Sequence, residues 1–303
     1  MKILIISLCI LFITILITIH FYRPSFGHDF SLSEGFFNGE WYKNKIIDRT
    51  KDNYLDGIDV IYWINLDRSH KRREHMQQIL NDPVFDNIDK NRITASDGKN
   101  DPNIMDNFIL EKKSSIKITE YATLLSHLNA IREFSTSNHE IGLIFEDDIT
   151  LDLKSHWKKS VKEIIENAPS DWEIIQLYYI IDNHFKIPEN EYTFVNNNNF
   201  IVLNNNIIHH ERVVVSSYST AAYIINKKAA LRFINNYYKN NKYMLKNYLH
   251  VADFYILKHF KTYTYKFPMF STVDDISTID PTHIDQNNKS KKYILKTLFN
   301  IDI

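Results

Sequence analysis

Beyond residue 57 the chain alternates apolar runs of strand length with amphipathic stretches in which charged residues occupy one side. Residues 60–65 form an apolar run that ends at Asn65, and 69–80 follow with Arg and Lys on an exposed side. The first pattern predicts a buried strand and the second a helix. The same alternation predicts strands over 91–95, 141–145, 172–179 and 219–225, and helices over 120–133, 157–167 and 227–238. Strand and helix in turn predict an α/β fold whose mostly parallel sheet carries helices on both faces. The Asn-rich stretch 196–206 reads as a loop between strands, and no internal repeat is present.

The N-terminus breaks this pattern. Residues 3–19 are almost unbroken Ile, Leu, Phe and Cys, interrupted only by Ser7, Thr14 and Thr18, whose hydroxyls can bond back to a helix. A helix of about 20 residues rising 1.5 Å per residue spans the hydrocarbon core, and residues 2–21 have that length, with Tyr22 and Arg23 at the far interface. The apolar region is long for a cleaved signal peptide, and no small-x-small cleavage site follows it. The expectation is an uncleaved single-pass anchor over 1–23, with the catalytic part on the non-cytoplasmic side. Residues 24–56, rich in Gly, Asn, Asp and aromatics, read as a stem, and 57–303 as one catalytic domain.

Composition narrows the function. Of 303 residues 44% are hydrophobic, enough to bury an enzyme-sized core. A formal net charge of -1 gives no polyanion-binding surface, so nucleic acid is not expected as a partner. The single cysteine, Cys9, lies in the membrane segment, which excludes a disulfide scaffold, a cysteine nucleophile and a zinc–cysteine site from the rest. Asn288-Lys-Ser290 is a glycosylation sequon if the domain is lumenal.

The sharpest chemical feature is the strand over 141–145, which runs straight into three carboxylates, Glu146, Asp147 and Asp148. Acids crowded at the edge of an apolar strand suffer desolvation and mutual repulsion unless a cation neutralises them, so the cluster reads as a metal site or, more simply, an exposed acidic turn. In an extended chain alternate residues share a face, which pairs Glu146 with Asp148 and turns Asp147 away. A second strand-to-helix crossing carries Asn65, Leu66, Asp67 and Arg68, with Arg72 and Arg73 a turn later. Backbone amides and guanidinium groups in that setting suit a diphosphate or, more simply, make a solvated basic helix face. Asp97 and Gly98 form a turn in which Asp97 can accept from a base or ribose hydroxyl.

Taken in order, Ile64-Asn-Leu-Asp-Arg68, Ala95-Ser-Asp-Gly98, Glu120 with Leu125-Ser-His-Leu128, and Phe145-Glu-Asp-Asp-Ile149 resemble glycosyltransferase family 25. Thr220-Ala-Ala-Tyr-Ile-Ile-Asn226 with Ala229, and the region of Asp253, extend the resemblance over residues 60–279. That family groups lipooligosaccharide galactosyltransferases with collagen hydroxylysine galactosyltransferases. The resemblance implies a GT-A-like fold and transfer of a hexose, galactose or glucose, from a UDP-sugar to a hydroxyl of a glycan or protein acceptor. It implies Mn²⁺ or Mg²⁺ held by Asp148 with Glu146 or Asp147, and it makes His283 a candidate further ligand. In its light Asn65, Leu66, Arg68, Arg72, Asp97, Gly98, Ser126 and Asp147 fall at the donor, and His127 lies near it or positions the acidic loop. Asp253 becomes the candidate base that deprotonates the acceptor hydroxyl, with His250 in reserve. The chain departs from the family where Glu120 is followed by Tyr121, Ala122 and Thr123 in place of small glycines, and the Asp253 segment is a loose match. Two other readings fit the same residues: a catalytically silent sugar-binding or assembly subunit, and a metal-dependent phosphohydrolase.

Overall fold

The computed structural model describes residues 54–111, 115–181, 200–202, 217–246, 250–273 and 282–301. They all belong to the compact unit Asn53–Ile303. The expected membrane segment and stem fall outside the described residues, apart from the stem's last three, 54–56. No helix among the described residues is long and apolar enough to cross a membrane.

Seven strands form the central sheet: β1 (Val60–Asn65), β2 (Asp89–Thr94), β3 (Ile141–Glu146), β4 (Ile174–Gln176), β5 (Phe200–Val202), β6 (Ala222–Asn226) and β7 (Thr262–Tyr265). Their spatial order is β2-β1-β3-β6-β4-β7-β5. β1 is parallel to both β2 and β3, and β4 is parallel to β7. β6, however, runs antiparallel between β3 and β4, and β5 runs antiparallel to β7. The sheet is therefore mixed rather than mostly parallel. Apolar runs such as residues 222–225 mark a strand buried on both faces without encoding its direction.

Alternation along the strands divides the core in two. Tyr62 and Ile64 of β1, Ile144 of β3 and Tyr223 and Ile225 of β6 pack in one cluster with Leu124, Leu128 and Phe134 of helix α2 (Ile118–Thr136), which is preceded by α1 (His70–Leu80). The intervening residues Ile61, Trp63, Leu143, Phe145 and Ile224 pack in the other with Met76 and Leu80 of α1 and with Val161 and Ile164 of α3 (Val161–Glu166). Helices α4 (Lys227–Tyr237) and α5 (Ala252–His259) join the first cluster, and Leu295 of α6 (Thr282–Phe299) joins the second. Helices thus cover both faces, as the alternation predicts.

Three local expectations change. The helix expected from 157 starts at Val161, because Trp157 is drawn into the core against Tyr54 and Phe270, with its indole N–H donating to the Met269 carbonyl. Ser160 then caps the helix: its Oγ accepts from Glu163 N, and Glu163 Oε2 accepts from Ser160 N at 2.8 Å. Within the Asn-rich stretch expected as loop, Phe200–Val202 forms β5 on the sheet edge. The sequon falls inside α6 with Ser290 buried, unlike the surface loop that accepts a glycan.

Gly142 of β3 faces α2 so closely that a Cβ there would lie 2.9 Å from a ring carbon of Phe134, itself fully buried. Gly142→Ala is expected to destabilise the protein by about 1–3 kcal/mol through overpacking. Urea unfolding checks this as a lowered midpoint with an unchanged slope.

Candidate active site

The carboxyl ends of β1 and β3 lie side by side, with Ile64 opposite Glu146. From β1 the chain passes through α1 to β2 on one edge, whereas β3 occupies the other edge. Open α/β sheets bind ligands at such a divergence, outside the carboxyl ends of the strands. The sequence motifs converge there.

Asn65, fully buried at the end of β1, organises the crossing. Its Nδ2 donates to Asp147 Oδ2 at 2.7 Å and to the Ser69 carbonyl at 3.3 Å. Its Oδ1 accepts from Arg73 Nε at 3.2 Å and Arg92 Nε at 3.1 Å. Every hydrogen-bonding position of the amide is thereby used. Arg92 also donates to the Asn65 carbonyl and to Asp67 Oδ1, and Arg73 donates to the Asp67 carbonyl. Leu66, half-buried, closes the turn by accepting Ser69 N.

The second loop docks beside it. Arg68 Nε donates to Asp97 Oδ2 at 2.6 Å, and Lys99 N and Asn100 Nδ2 complete the shell of that carboxylate. The Arg68 hydrogen bond, helped by the other donors, holds the Asp97 carboxyl down to about 2. Ser126 of α2 fixes the loop, accepting from Ser96 N at 2.9 Å and donating to the Ala122 carbonyl. Gly98 permits this approach, since a Cβ would lie 2.8 Å from Thr119 Cα. Glu120 caps α2 by accepting from Lys117 N.

The three acids do not pair as an extended chain would place them. The strand ends at Glu146, and residues 147–148 form a turn. As a result Asp147 and Asp148 both meet Arg72, whose Nη1 lies 2.6 Å from Asp147 Oδ1 and 3.4 Å from Asp148 Oδ2. Burial works against the Arg72 charge, but Asp148 and Asp147 hold it firmly protonated. Glu146 turns the other way, with Oε1 3.2 Å from His127 Nε2 and 3.0 Å from Thr220 Oγ1. Burial disfavours its ionised form, yet His127, Thr220 and Arg72 bring its carboxyl below the ordinary value. Asp148 moves oppositely: burial and then the charge of Glu146 push its carboxyl up to about 7. Asp148 Oδ1 is buried with no hydrogen-bond partner among the described residues.

His127 is buried, with Nδ1 3.3 Å from the Tyr223 hydroxyl, and so positions Glu146 from below. Asp253, in the first turn of α5, accepts from Ser219 N at 2.8 Å and from Thr220 Oγ1 at 3.3 Å. Burial and then the charge of Glu146 raise its carboxyl. Thr220 thus bridges Glu146 and Asp253, presented by Ser219 at a left-handed φ of 101°. His250 is bonded to the Tyr121 hydroxyl in the core, away from these acids' hydrogen-bond shells. His283 belongs to α6, and its side chain lies outside the description.

Among the described residues no group of three or more His, Cys, Asp and Glu side chains is gathered to hold a metal. The donors present nevertheless suit a hard ion that takes one or two carboxylates and completes its shell with water and substrate phosphates. Asp148, whose Oδ1 has no hydrogen-bond partner among the described residues, would be the carboxylate to offer such an ion. Arg92 and Thr220 belong to the site although neither motif reading selected them as such. A lone arginine within the 91–95 strand is the signal for the first, and the second heads the motif Thr220–Asn226, which carries the resemblance without giving its threonine a role.

The family model described as glycosyltransferase family 25 (LPS biosynthesis protein) matches residues 58–256, a span that runs from two residues before β1 into α5. No curated protein matches the chain.

Two outcomes follow from the charges. Between about pH 4, where an unfolded aspartate titrates, and about 7, where Asp148 does, the folded state binds the extra proton, so this group lowers stability as pH rises. Asp148→Asn is expected to stabilise the protein by about 2–4 kcal/mol at pH 8 and to change little at pH 4, read by urea unfolding at both. Asn65→Leu leaves Asp147, Arg73 and Arg92 short of partners and should cost about 2–4 kcal/mol in the same assay.

Proposed function

The chain belongs to glycosyltransferase family 25, and from that membership we propose that it transfers a hexose from a UDP-sugar to a hydroxyl of a glycan or protein acceptor. That the chain is a glycosyltransferase follows from the family; the donor, the metal and the acceptor chemistry are the proposal. One observation carries it: Arg72 spans Asp147 and Asp148 just beyond β3, while Thr220 Oγ1 lies 3.0 Å from Glu146 Oε1 and 3.3 Å from Asp253 Oδ1, so a cation-bridged acid pair and a separate buried acid are joined in one site.

In this reading the donor diphosphate lies over the β1–α1 crossing. Arg68 and Arg72 exchange their contacts with Asp97 and with Asp147 and Asp148 for phosphate oxygens, which guanidinium groups bind with two parallel hydrogen bonds. The buried frame of Asn65, Arg73 and Arg92 keeps the crossing in place during that exchange. Asp148 would hold Mn²⁺ or Mg²⁺, and a bound ion supplies neutralisation of charge on the departing UDP. Asp253 takes the proton of the acceptor hydroxyl, a role helped by a carboxyl raised towards working pH. Thr220 holds Asp253 and Glu146 apart at hydrogen-bond distance, and His127 steadies Glu146. The reading also keeps residues 1–23 as a membrane anchor that holds the catalytic domain near a membrane-borne or secreted acceptor.

Arg72 favours a second version. Because its guanidinium already spans Asp147 and Asp148, donor binding and transfer without a divalent ion also fit.

UDP release from a panel of UDP-sugars, with Mn²⁺ or with EDTA, tests both. The expected outcome is release from one preferred sugar with Mn²⁺, abolished by EDTA and lowered at least a hundredfold in Asp148→Ala. Release that survives EDTA selects the Arg72 version. A folded protein that neither binds UDP nor releases it overturns the donor proposal. Asp253→Asn is expected to lower transfer about 10²–10⁴-fold with UDP affinity unchanged, measured by turnover beside UDP titration.

A further inference from the structure

Beside Asp253 the surface carries an aromatic pair that the transfer reaction, as described, does not use. Phe254 follows Asp253 in the first turn of α5 and is 39% exposed, whereas Ala252, Tyr255, Ile256 and Leu257 of the same helix are buried. It is the one aromatic among the strongly exposed large hydrophobic side chains of the described residues. Its ring lies 5.3 Å from that of Tyr218, tilted by 53°. Tyr218 in turn precedes Ser219, whose N–H donates to Asp253 Oδ2 at 2.8 Å. The two rings are therefore tied, through one residue on each side, to the carboxylate that receives the acceptor proton. A short antiparallel pairing of Ser217–Tyr218 with Ile180–Ile181 fixes the Tyr218 backbone.

An isolated exposed apolar residue needs no explanation, but a ring pair borne by the chain neighbours of Asp253 and Ser219 joins aromatic and hydrogen-bonding residues in a combination with a ligand chemistry of its own. The face of an aromatic ring is electron-rich and attracts weakly positive C–H groups. A pyranose presents just these two surfaces, one face of axial C–H groups and a rim of hydroxyls. Seated on the rings, it would turn a rim hydroxyl towards Asp253. A peptide acceptor offers a single flexible side chain and leaves most of the pair uncovered.

Building on the donor-site reading above, we propose that Phe254 and Tyr218 form the acceptor platform and that the acceptor is a saccharide, bound by stacking of its sugar ring beside Asp253. Phe254 is then a specificity-determining residue, outside the donor site.

Saturation-transfer NMR on the full-length protein loaded with UDP tests this, with methyl β-galactoside, methyl β-glucoside and methyl N-acetyl-β-glucosaminide as probes and a hydroxylysine peptide as the competing class. The expected result is saturation of the C–H protons of one ring face in at least one glycoside. Phe254→Ala should weaken that glycoside about tenfold and Phe254→Trp restore it, with UDP affinity unchanged in both. A protein that binds UDP but none of the glycosides, or that binds them equally well as Phe254→Ala, overturns the platform alone. Binding of the peptide in their place, lost in Phe254→Ala, overturns the saccharide assignment. Failure of the folded protein to bind UDP instead removes the donor reading on which the proposal rests.

Discussion

Three consecutive carboxylates at the end of a strand with four buried residues must each find a different way to bear their charge. Asp147 does so through Asn65 and Arg72, Glu146 through His127 and Thr220, and Asp148 incompletely, through Arg72 alone. The division is physical rather than decorative. Like charges in a poorly solvated site cannot all ionise freely, so satisfying two of them raises the proton affinity of the third. Much of the surrounding architecture serves that division. Asn65 ends its strand where its amide can reach Asp147, α1 brings Arg72 over the turn, and α2 supplies His127 from beneath.

This arrangement sorts the site into a fixed part and an exchangeable part. The Asn65 amide, with all its hydrogen-bonding positions used, and the buried His127–Tyr223 contact resist rearrangement, because each lost bond would strand a buried polar group. The Arg68–Asp97 pair is more exposed, and such pairs contribute little to stability. Contacts of that kind are the ones a ligand can replace at small cost. The site can therefore be held rigidly by one set of polar groups and opened to a ligand by another.

Much of this was legible in the sequence, and the failures have identifiable causes. Residues 60–65 and 227–237 behave as their patterns predict, since burial on both faces and a capping Asn226 act locally. The helix expected from 157 is cut short by a tertiary contact, the burial of Trp157, although Ser160 and Glu163 carried a capping-box signature that marks the true start. The direction of β6 leaves no trace in an apolar run. At the site, motif order brought Asn65, Arg72, Asp97, Ser126, His127 and the acids into one neighbourhood, but their pairing depended on the turn at 147–148. Spacing along an extended chain assigned Glu146 and Asp148 to one face; the turn gave Asp147 and Asp148 to Arg72 instead. Arg92 and Thr220 act through partners 27 and 74 residues distant in the chain, beyond the reach of any local pattern.

The insertion of β6 bears on how the chain is made. β4 emerges before β6 and β7, yet these two later strands are its only neighbours in the sheet. During synthesis β1, β2 and β3 can associate as soon as they appear, whereas β4 stays unpaired until residues 222–226 have been added and waits for residues 262–265 to cover its other edge. Unpaired strand edges are the sites at which nascent chains associate wrongly. Thr220 lies two residues before β6, and Asp253 lies between β6 and β7, so the half of the site that holds these two residues is assembled in the same late step that closes the sheet.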